Sequence, residues 1–190
     1  MHQDTDLVGA SIVSVNVAEP APLVTRHGPT TSAIGKRPVA GRVMVRRLNL
    51  DGDRQADLSV HGGPDKAVYC YAAEHYGPWA AELERAALPW GTFGENLTTR
   101  GLLETEVRLG DVLRAGSALL EVSQPRSPCF KLAAVIGVRG FERAFLHSGR
   151  TGWYARVLEE GDVGPGDAIE RVTRGDGPTV WEAVRQAYGI

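Results

Sequence analysis

Short stretches of alternating polar and apolar residues, separated by turns rich in glycine and proline, run along most of this chain. Residues 10–18 alternate in this way, which predicts a strand with one buried face. Residues 109–113 and 165–169 each place a Gly-Asp turn directly before such a strand. The 23 glycines and 11 prolines suit many short strands and do not suit a helix bundle. We therefore predict a mainly β fold, a closed or nearly closed β-barrel, with a few peripheral helices.

Helices are predicted in four places. Residues 77–88 are good helix formers with a proline near their start, a second helix includes residues 132–136, and a third covers 141–146. Near the C-terminus, Thr179 and Glu182 have the spacing of a capping box, which predicts the start of a fourth helix.

The length, charge and cysteine content narrow the class of protein. A chain of 190 residues fits one domain. Its formal net charge of −2 does not favour nucleic acid or a membrane surface as a partner. The two cysteines, Cys70 and Cys129, are too few for a disulfide framework. Because the sequence shows no signal peptide and no apolar run of membrane-spanning length, we expect a cytoplasmic protein.

The turn that leads into the second helix carries the strongest indication of chemistry. Ser127 suits the N-cap and Pro128 the first helical position, which predicts that Cys129 lies in the first turn. The positive end of the helix dipole and the nearby cations Arg126 and Lys131 would favour a thiolate. The alternative is a small apolar residue buried at a strand–helix junction, the usual environment of a cysteine. We predict a functional thiol.

A long polar segment in the first third of the chain is a second candidate for function. Its His61-Gly62-Gly63 sequence lets backbone amides approach a ligand, because glycine has no side chain in the way. Asp57, His61 and His75 lack the spacing of a metal site, and a hydrogen-bonded Asp–His pair is the simpler interpretation.

Two further positions are open to more than one interpretation. Lys36 lies in a loop-rich region, where its charge is either solvated or directed at an anion. Glu95 and Asn96 lie in a glycine-rich aromatic loop, where they either hold loops together or contact a ligand.

In combination, these segments resemble the MOSC domain family, named for the C-terminal domain of molybdenum cofactor sulfurase, and most of all its 6-N-hydroxylaminopurine resistance branch. The similar segments follow the family's order along most of the chain: Gly52-Asp53, Gln55–Asp57, His61–Ala67, Phe93–Leu97, Gly110-Asp111, Gln124–Leu132, His147–Gly149 and Gly152-Trp153. The resemblance implies a MOSC barrel of the pyruvate-kinase-barrel type over residues 1–175. We expect residues 176–190 to form a short helix, the remnant of a helical extension that members of this branch often carry.

The resemblance implies binding of the molybdenum cofactor, a pterin dithiolene (molybdopterin) that carries molybdenum; the family is also associated with pyridoxal phosphate. The family's cysteine corresponds to Cys129, which would be the catalytic residue and the thiolate ligand of the metal. The phosphate-containing tail of the cofactor needs cations or backbone amides. The residues assigned to cofactor binding are Lys36, His61 (oriented by Asp57), Gly62, Gly63, Asn96, Arg126, Ser127, Lys131 and Arg150, with Arg26 as a further cation.

The implied reaction is a two-electron reduction of N-hydroxylated compounds such as hydroxylaminopurines, hydroxylamines and amidoximes, with release of water. The sequence has neither an iron–sulfur motif nor a dinucleotide-binding fingerprint. Electrons would therefore come from a separate flavin or iron–sulfur reductase. We expect a monomer or a homodimer that acts in detoxification.

Three other functions are compatible with the same thiol. In the first, the protein is a sulfur carrier that holds a persulfide on Cys129 for metal–sulfur cluster assembly. In the second, Cys129 is the nucleophile of a hydrolase or transferase, with His61 or His147 as the base. In the third, the barrel binds a ligand without catalysis, and Cys129 has no essential role.

Overall fold

The structure is a computed structural model that describes residues 7, 9–54 and 62–190. Asp57 and His61, and with them the expected Asp–His pair, lie outside the described residues. The strands are β1 (Ser11–Val17), β2 (Ala21–Thr25), β3 (Gly28–Ser32), β4 (Arg37–Pro38), β5 (Val43–Val45), β6 (Val68–Ala72), β7 (Leu97–Arg100), β8 (Val112–Ala115), β9 (Ala118–Pro125), β10 (Trp153–Glu159), β11 (Gly161–Val163) and β12 (Ile169–Thr173). The helices are α1 (Tyr76–Glu82), α2 (Phe130–Ile136), α3 (Phe141–His147) and α4 (Val180–Tyr188), with short 3-10 helices at Pro64–Lys66 and Ala73–His75.

Eight strands form one mixed sheet in the order β12-β8-β9-β10-β6-β7-β1-β4. Neighbouring strands are antiparallel except β6 and β7, which are parallel. The sheet curls until its β12 end meets β1, because Ser11 forms a bridge to Ala168, the residue before β12. Two backbone hydrogen bonds of 2.9 Å flank that bridge. Two small antiparallel sheets, β2–β3 and β5–β11, complete the β structure, and the predicted mainly β fold with few helices is confirmed.

The burial pattern of the strands follows from their period of two. In β9, Ala118, Leu120 and Val122 are buried and alternate with half-buried residues, so one face of the strand points into the main apolar core. β6 differs, since all five of its residues are buried. Its even-numbered residues Val68 and Cys70 join the main core, whereas its tyrosines join a second cluster on the opposite face.

The second cluster is aromatic and is covered by α1, α2 and α3. Its members include Tyr71, Trp79, Phe93 and Phe145, whose rings lie with centroids 4.6–6.3 Å apart. The helix predicted over residues 77–88 is right only in its first half. Glu84 adopts a left-handed conformation with φ 53°, which a helix cannot continue through.

The C-terminal helix α4 begins with the predicted capping box. Glu182 N donates to Thr179 Oγ1 at 3.2 Å, and Thr179 N donates to Glu182 Oε2 at 2.8 Å. Val180 and Val184 are buried, and the helix packs against β9. Among the described residues, no helix combines the length and the apolar character needed to cross a membrane.

Candidate functional site

A cavity of about 100 Å³ opens beside the start of α2. It is bounded by the segment after β3, by residues 53, 54, 62 and 66, and by residues in or next to β6, β9 and β10. The lining residues are Ser32, Ala33, Ile34, Lys36, Asp53, Arg54, Gly62, Lys66, Tyr69, Gly94, Asn96, Arg126, Ser127, Cys129, Lys131 and Tyr154.

The cavity is electropositive. Its described lining includes one carboxylate, Asp53, and five cationic side chains: Lys36, Arg54, Lys66, Arg126 and Lys131. This formal excess of four positive charges occurs in a chain whose net charge is −2. Like charges gathered around one cavity repel each other unless a counter-ion is present, so the site is suited to an anionic ligand.

Arg126 is the most informative of these cations. The residue is 5% exposed, and its guanidinium lies 4.9 Å from the ring centroid of Tyr69 and 5.6 Å from that of Phe145. Its Nη1 has no hydrogen-bond partner among the described residues. Burial lowers the pKa of Arg126, but Tyr69, Tyr154 and Cys129 raise it, and the net pKa is above its ordinary value. A buried donor left unpaired costs about 1–3 kcal/mol, and an anion in the cavity would remove that cost.

Cys129 lines the cavity, but the start of its helix differs from the prediction. α2 begins at Phe130, and Cys129 is the N-cap residue with φ −122° and ψ 169°. The predicted N-cap at Ser127 and the predicted first-turn position of Cys129 are therefore wrong. Because the backbone is still extended at Cys129, Phe130 is the first helical residue, two positions after Pro128. The thiol is half-buried, and the positive charge beside it comes from Arg126, with which it interacts electrostatically.

Lys36 is held in the cavity wall by a network of polar contacts. Its side chain is 8% exposed and forms an ion pair with Asp53, which is 2% exposed. Asp53 also accepts hydrogen bonds from Ala18 N and Asn96 Nδ2, both at 2.9 Å. Asn96 accepts a further bond from Tyr69 N at 3.1 Å. Burial lowers the pKa of Lys36, and Asp53 opposes that shift. Asn96 thus holds the loops of the site together.

The β2–β3 hairpin forms one side of the cavity and contacts α2. Lys131 Nζ donates to Thr31 O at 3.4 Å, and the ring of His27 meets the ring of Phe130 edge-on with centroids 5.0 Å apart. Ser127, before the helix, shares a hydrogen bond with the hydroxyl of Tyr188 at the end of α4. The loop that carries the thiol is therefore bounded by the hairpin and by the C-terminal helix.

Two predicted cations lie away from the cavity lining. Arg150 forms an ion pair with Glu82 at 2.7 Å, and its guanidinium lies 3.8 Å above the ring of Trp79. Arg26 pairs with Glu142 at 3.4 Å. Both guanidiniums thus have carboxylate partners outside the described cavity lining.

Of the remaining predicted residues, some line the cavity and others lie away from it. Gly62 lines the cavity, Gly63 precedes the 3-10 helix at residues 64–66, and His147 is exposed at the end of α3. Sequence reasoning did not single out Asp53 or Tyr154 as site residues, because only the folded chain brings them beside Lys36 and Arg126. Among the described residues, no three His, Cys, Asp or Glu side chains are grouped so that they would hold a metal ion.

Several known proteins are similar to this chain in sequence. The sequence model of the MOSC domain matches residues 57–170, more than half of the chain. Protein YiiM of Escherichia coli (strain K12) is 44% identical over 159 residues, which are 83% of this chain and 71% of YiiM. A protein named "Reductase" from Gibberella moniliformis (strain M3125 / FGSC 7600) is 39% identical over 150 residues, which are 77% of this chain and 27% of that protein.

A solved structure shows the same fold. The crystal structure of YiiM from Geobacillus stearothermophilus superposes with a TM-score of 0.78 at 37% sequence identity, and the match covers 94% of this chain and 84% of that one. The range matched by the domain model includes Arg126 and Cys129, whereas Lys36 and Asp53 come from the residues before it.

Proposed function

Because the chain belongs to the MOSC domain family, we propose that it is an oxidoreductase that binds the molybdenum cofactor and reduces N-hydroxylated compounds. The observation that carries this proposal is the buried guanidinium of Arg126, whose Nη1 has no hydrogen-bond partner among the described residues, beside the thiol of Cys129 in an electropositive cavity. Such a pair offers one ligand for an anion and one for a soft metal.

The residues of the cavity fit the two ends of such a cofactor. Its phosphate-containing tail is anionic, and Arg126, with Lys66 and Lys131 on the same lining, would supply cations for it. Cys129 would supply a thiolate to its metal, to which the pterin dithiolene brings its own sulfur ligands. When bound, the cofactor would supply a centre that takes up two electrons and delivers them to an N–O bond.

The chain's own contribution is to hold the thiol in place and to form the walls of the cavity. The contacts of Ser127 with Tyr188, and of Lys131 with Thr31, hold the thiol-bearing loop between α4 and the hairpin. The half-buried ring of Tyr154, 5.3 Å from that of Tyr69, gives the cavity an aromatic wall against which a flat substrate would pack.

We assign the electron source to a separate flavin or iron–sulfur reductase. The sequence has no iron–sulfur motif and no dinucleotide-binding fingerprint of its own. The relative named "Reductase" supports this assignment, because the segment similar to this chain makes up only 27% of that longer protein.

The test is the metal and pterin content of protein purified from a host that makes the cofactor. We expect stoichiometric molybdenum and pterin in the wild type and loss of molybdenum in Cys129→Ser. The control is Cys70→Ala, since Cys70 is buried in the main core away from the cavity and this variant should keep its molybdenum. With reduced methyl viologen as electron donor, the wild type and the control should reduce benzamidoxime, and Cys129→Ser should not.

Other outcomes would select the other functions. A persulfide on Cys129 without molybdenum would identify a sulfur carrier. Thiol-dependent hydrolysis or group transfer without metal would identify a cysteine nucleophile. Full function in Cys129→Ser would show that the cavity binds its ligand without chemistry at this residue.

A further inference from the structure

The lysines of this protein are confined to one place. Of its 21 cationic residues, 18 are arginines and three are lysines, namely Lys36, Lys66 and Lys131. All three line the cavity, together with two arginines. If lysine were placed at random among the 21 cationic positions, the five cavity positions would hold all three in 10 of 1,330 arrangements. The chain therefore uses arginine as its general cation and lysine at the cavity.

Lysine and arginine differ in a property that matters to a reaction. An arginine keeps its proton at any pH at which a protein functions, whereas a lysine can release its proton when burial lowers its pKa. Among the three lysines, Lys36 has a side chain that is 8% exposed and is paired with a buried carboxylate. Burial is the largest influence on the pKa of Lys36 and lowers it. An ammonium in this environment is a stronger acid than one in water.

The pairing of Lys36 separates its role from that of Arg126. The Lys36–Asp53 pair is neutral as a unit, so it adds little to the attraction of an anion. Arg126 forms no ion pair with a carboxylate in the described part of the chain and keeps its full charge for a ligand. Arg126 is thus suited to hold an anion, whereas Lys36 is suited to move a proton.

The position of Lys36 is fixed from two sides. Asp53 holds its ammonium, and the backbone of Gly91 lies so close that a Cβ there would be 2.6 Å from Lys36 O. Gly91 is itself held by the buried carboxylate of Glu95, which accepts hydrogen bonds from Gly91 N at 2.9 Å and Phe93 N at 3.2 Å. A catalytic side chain must be held in one position relative to the substrate, and these contacts hold Lys36 in this way.

We propose that Lys36 is a catalytic residue of the proposed reductase and that its ammonium donates a proton to the oxygen that leaves as water. The inference rests on the proposed function. In the balanced reaction, R–NH–OH takes up two electrons from the partner reductase and two protons, the N–O bond breaks, and R–NH2 and H2O form. One proton passes from Lys36 Nζ to the leaving oxygen, and the other reaches the nitrogen from solvent. Solvent then restores the proton of Lys36, and Asp53 acts as a positioning residue that holds the amine.

The charged groups around Lys36 determine how it titrates. Asp53 and Glu95 raise its pKa and so retain its proton. The cations on the same lining favour loss of that proton; they are Arg54, Lys66, Arg126 and Lys131. Activity should therefore fall as the pH rises through the pKa of Lys36, because the deprotonated amine has no proton to donate.

The first test compares two substitutions in the molybdenum-loaded protein. Lys36→Met removes the proton donor, and Lys36→Arg keeps the charge but cannot donate a proton in the working pH range. We expect both variants to keep their molybdenum, to lower kcat by about 100-fold or more, and to lose the alkaline limb of the pH–rate profile. The control is Arg37→Met, which removes the exposed neighbouring cation and should leave kcat unchanged. Wild-type activity in Lys36→Arg would overturn the inference.

The second test does not depend on activity. Protein with ¹³C-labelled lysine gives only three Cε signals, and the Lys36 signal is assigned by its absence in Lys36→Arg. We expect it to titrate below the ordinary value of about 10.4 in the cofactor-free protein, and lower still in Asp53→Asn. Titration at or above the ordinary value would overturn this inference alone, whereas a loaded wild type that reduces no N-hydroxylated compound would overturn the proposed function.

Discussion

A guanidinium nitrogen that is buried without a hydrogen-bond partner is an unfavourable arrangement, and the contacts around Arg126 show why the protein tolerates it. The rings of Tyr69 and Phe145 lie beside the cation and compensate for part of its lost hydration. The remaining cost persists because Nη1 has no partner among the described residues. This cost agrees with our proposal that Arg126 serves a ligand and not the stability of the unloaded fold.

Arg126→Met should therefore abolish cofactor binding without destabilising the cofactor-free protein. The substitution removes an unpaired donor that costs about 1–3 kcal/mol and loses cation–π contacts of about 0.5–2 kcal/mol. We expect the free energy of unfolding in urea to stay within about 1 kcal/mol of wild type or to rise, and the molybdenum content to fall. A variant that unfolds more easily but keeps its molybdenum would contradict this account of Arg126.

Glu95 is the opposite case, because it is a buried carboxylate in which both oxygens accept hydrogen bonds. Its two oxygens accept hydrogen bonds from Gly91 N, Phe93 N, Thr98 Oγ1 and the hydroxyl of Tyr76. Burial raises the pKa of Glu95, and the donated hydrogen bonds lower it by less, so the net pKa is above the ordinary value.

Glu95→Gln should destabilise the protein, because its new NH2 group would face a backbone N–H that also donates. We expect the free energy of unfolding to fall by about 1–3 kcal/mol, measured by urea titration. The matched control is Glu106→Gln at an exposed position, where the change should stay within about 0.5 kcal/mol. Equal changes in the free energy of unfolding at the two positions would show that the hydrogen bonds of Glu95 do not stabilise the fold.

At the scale of residues, the sequence identified candidates better than it identified their geometry. Lys36, Arg126, Cys129 and Lys131 do line one cavity, and what they bind stays a prediction. The sequence did not show the helix start at Phe130, because Ser127 and Pro128 have favourable residue types for an N-cap and a first helical position, and no local signal moves the start past them.

Among the elements, the loop before β7 has a strict steric requirement at Gly91. Gly91 has φ +85°, and a Cβ at this position would lie 2.6 Å from Lys36 O and 3.3 Å from the Cβ of Asn16. The loop is therefore in direct contact with the segment that carries Lys36. A glycine is required here both for its conformation and for the close approach of two backbones.

Gly91→Ala should cost more than the same change at a glycine with equal strain and open space. Gly41, which has φ +80° and no atom within 4 Å of the place that a Cβ would occupy, is the matched control. We expect about 1–2 kcal/mol of destabilisation at Gly41 from the left-handed conformation alone, and a clearly larger loss at Gly91. Urea unfolding of both variants measures the difference, and equal losses would contradict the steric argument.

A second element-scale feature is the clasp that Arg42 forms near the closure of the sheet. Its guanidinium donates to Asp162 on β11 at 2.5 Å and to Asp167, in the turn before β12, at 2.9 Å. Hydrogen bonds from Arg42, and then from Ser117, lower the pKa of Asp162 to about 2 from an ordinary 3.8. Because the folded-state pKa is depressed, Asp162 contributes stability above pH 4 that is lost as the pH falls towards 2.

Arg42→Met should therefore reduce stability most at neutral pH, and the gap from wild type should narrow between pH 4 and pH 2. The measurement is urea unfolding of both proteins over that range at constant ionic strength. Arg37→Met, which removes an exposed cation on β4, is the control and should show no such narrowing. A gap that is constant with pH would show that the clasp acts through packing and not through charge.

The sequence predicted an element correctly where residues close in sequence determine it. It failed where contacts between distant residues determine the element. The capping box of α4 formed as predicted, since it depends on residues three apart. The same holds for the Gly-Asp turns, in which Asp111 and Asp167 each accept from the backbone N–H three residues earlier at 2.9 Å. The second half of the helix predicted from residue 77 is absent, because Glu84 adopts a left-handed conformation. The prediction missed this end because no local sequence signal marks Glu84.

At the scale of the whole molecule, the charge of the chain is unevenly distributed. The described cavity lining carries a formal excess of four positive charges in a protein whose net charge is −2. No continuous segment of the sequence shows this concentration of positive charge. The lining comes from segments as distant as Lys36 and Tyr154, which the curled sheet brings together. Composition and local pattern were sufficient for the fold class, whereas the electrostatics of the site required the folded chain.

This distribution predicts that a small polyanion stabilises the entire fold through the cavity. Inorganic pyrophosphate, as a probe of the tail-binding cations, should raise the free energy of unfolding by about 2.7 kcal/mol at a hundredfold excess over its Kd. For a chain of this length that corresponds to a rise in Tm of roughly 5–10 °C, readable by calorimetry. The shift should vanish in Arg126→Met and persist in Arg150→Met, because Arg150 is paired with Glu82 outside the cavity. A shift of equal size in both variants would mean that pyrophosphate acts on the surface as a whole, and the assignment of Arg126 as the anion ligand would fail.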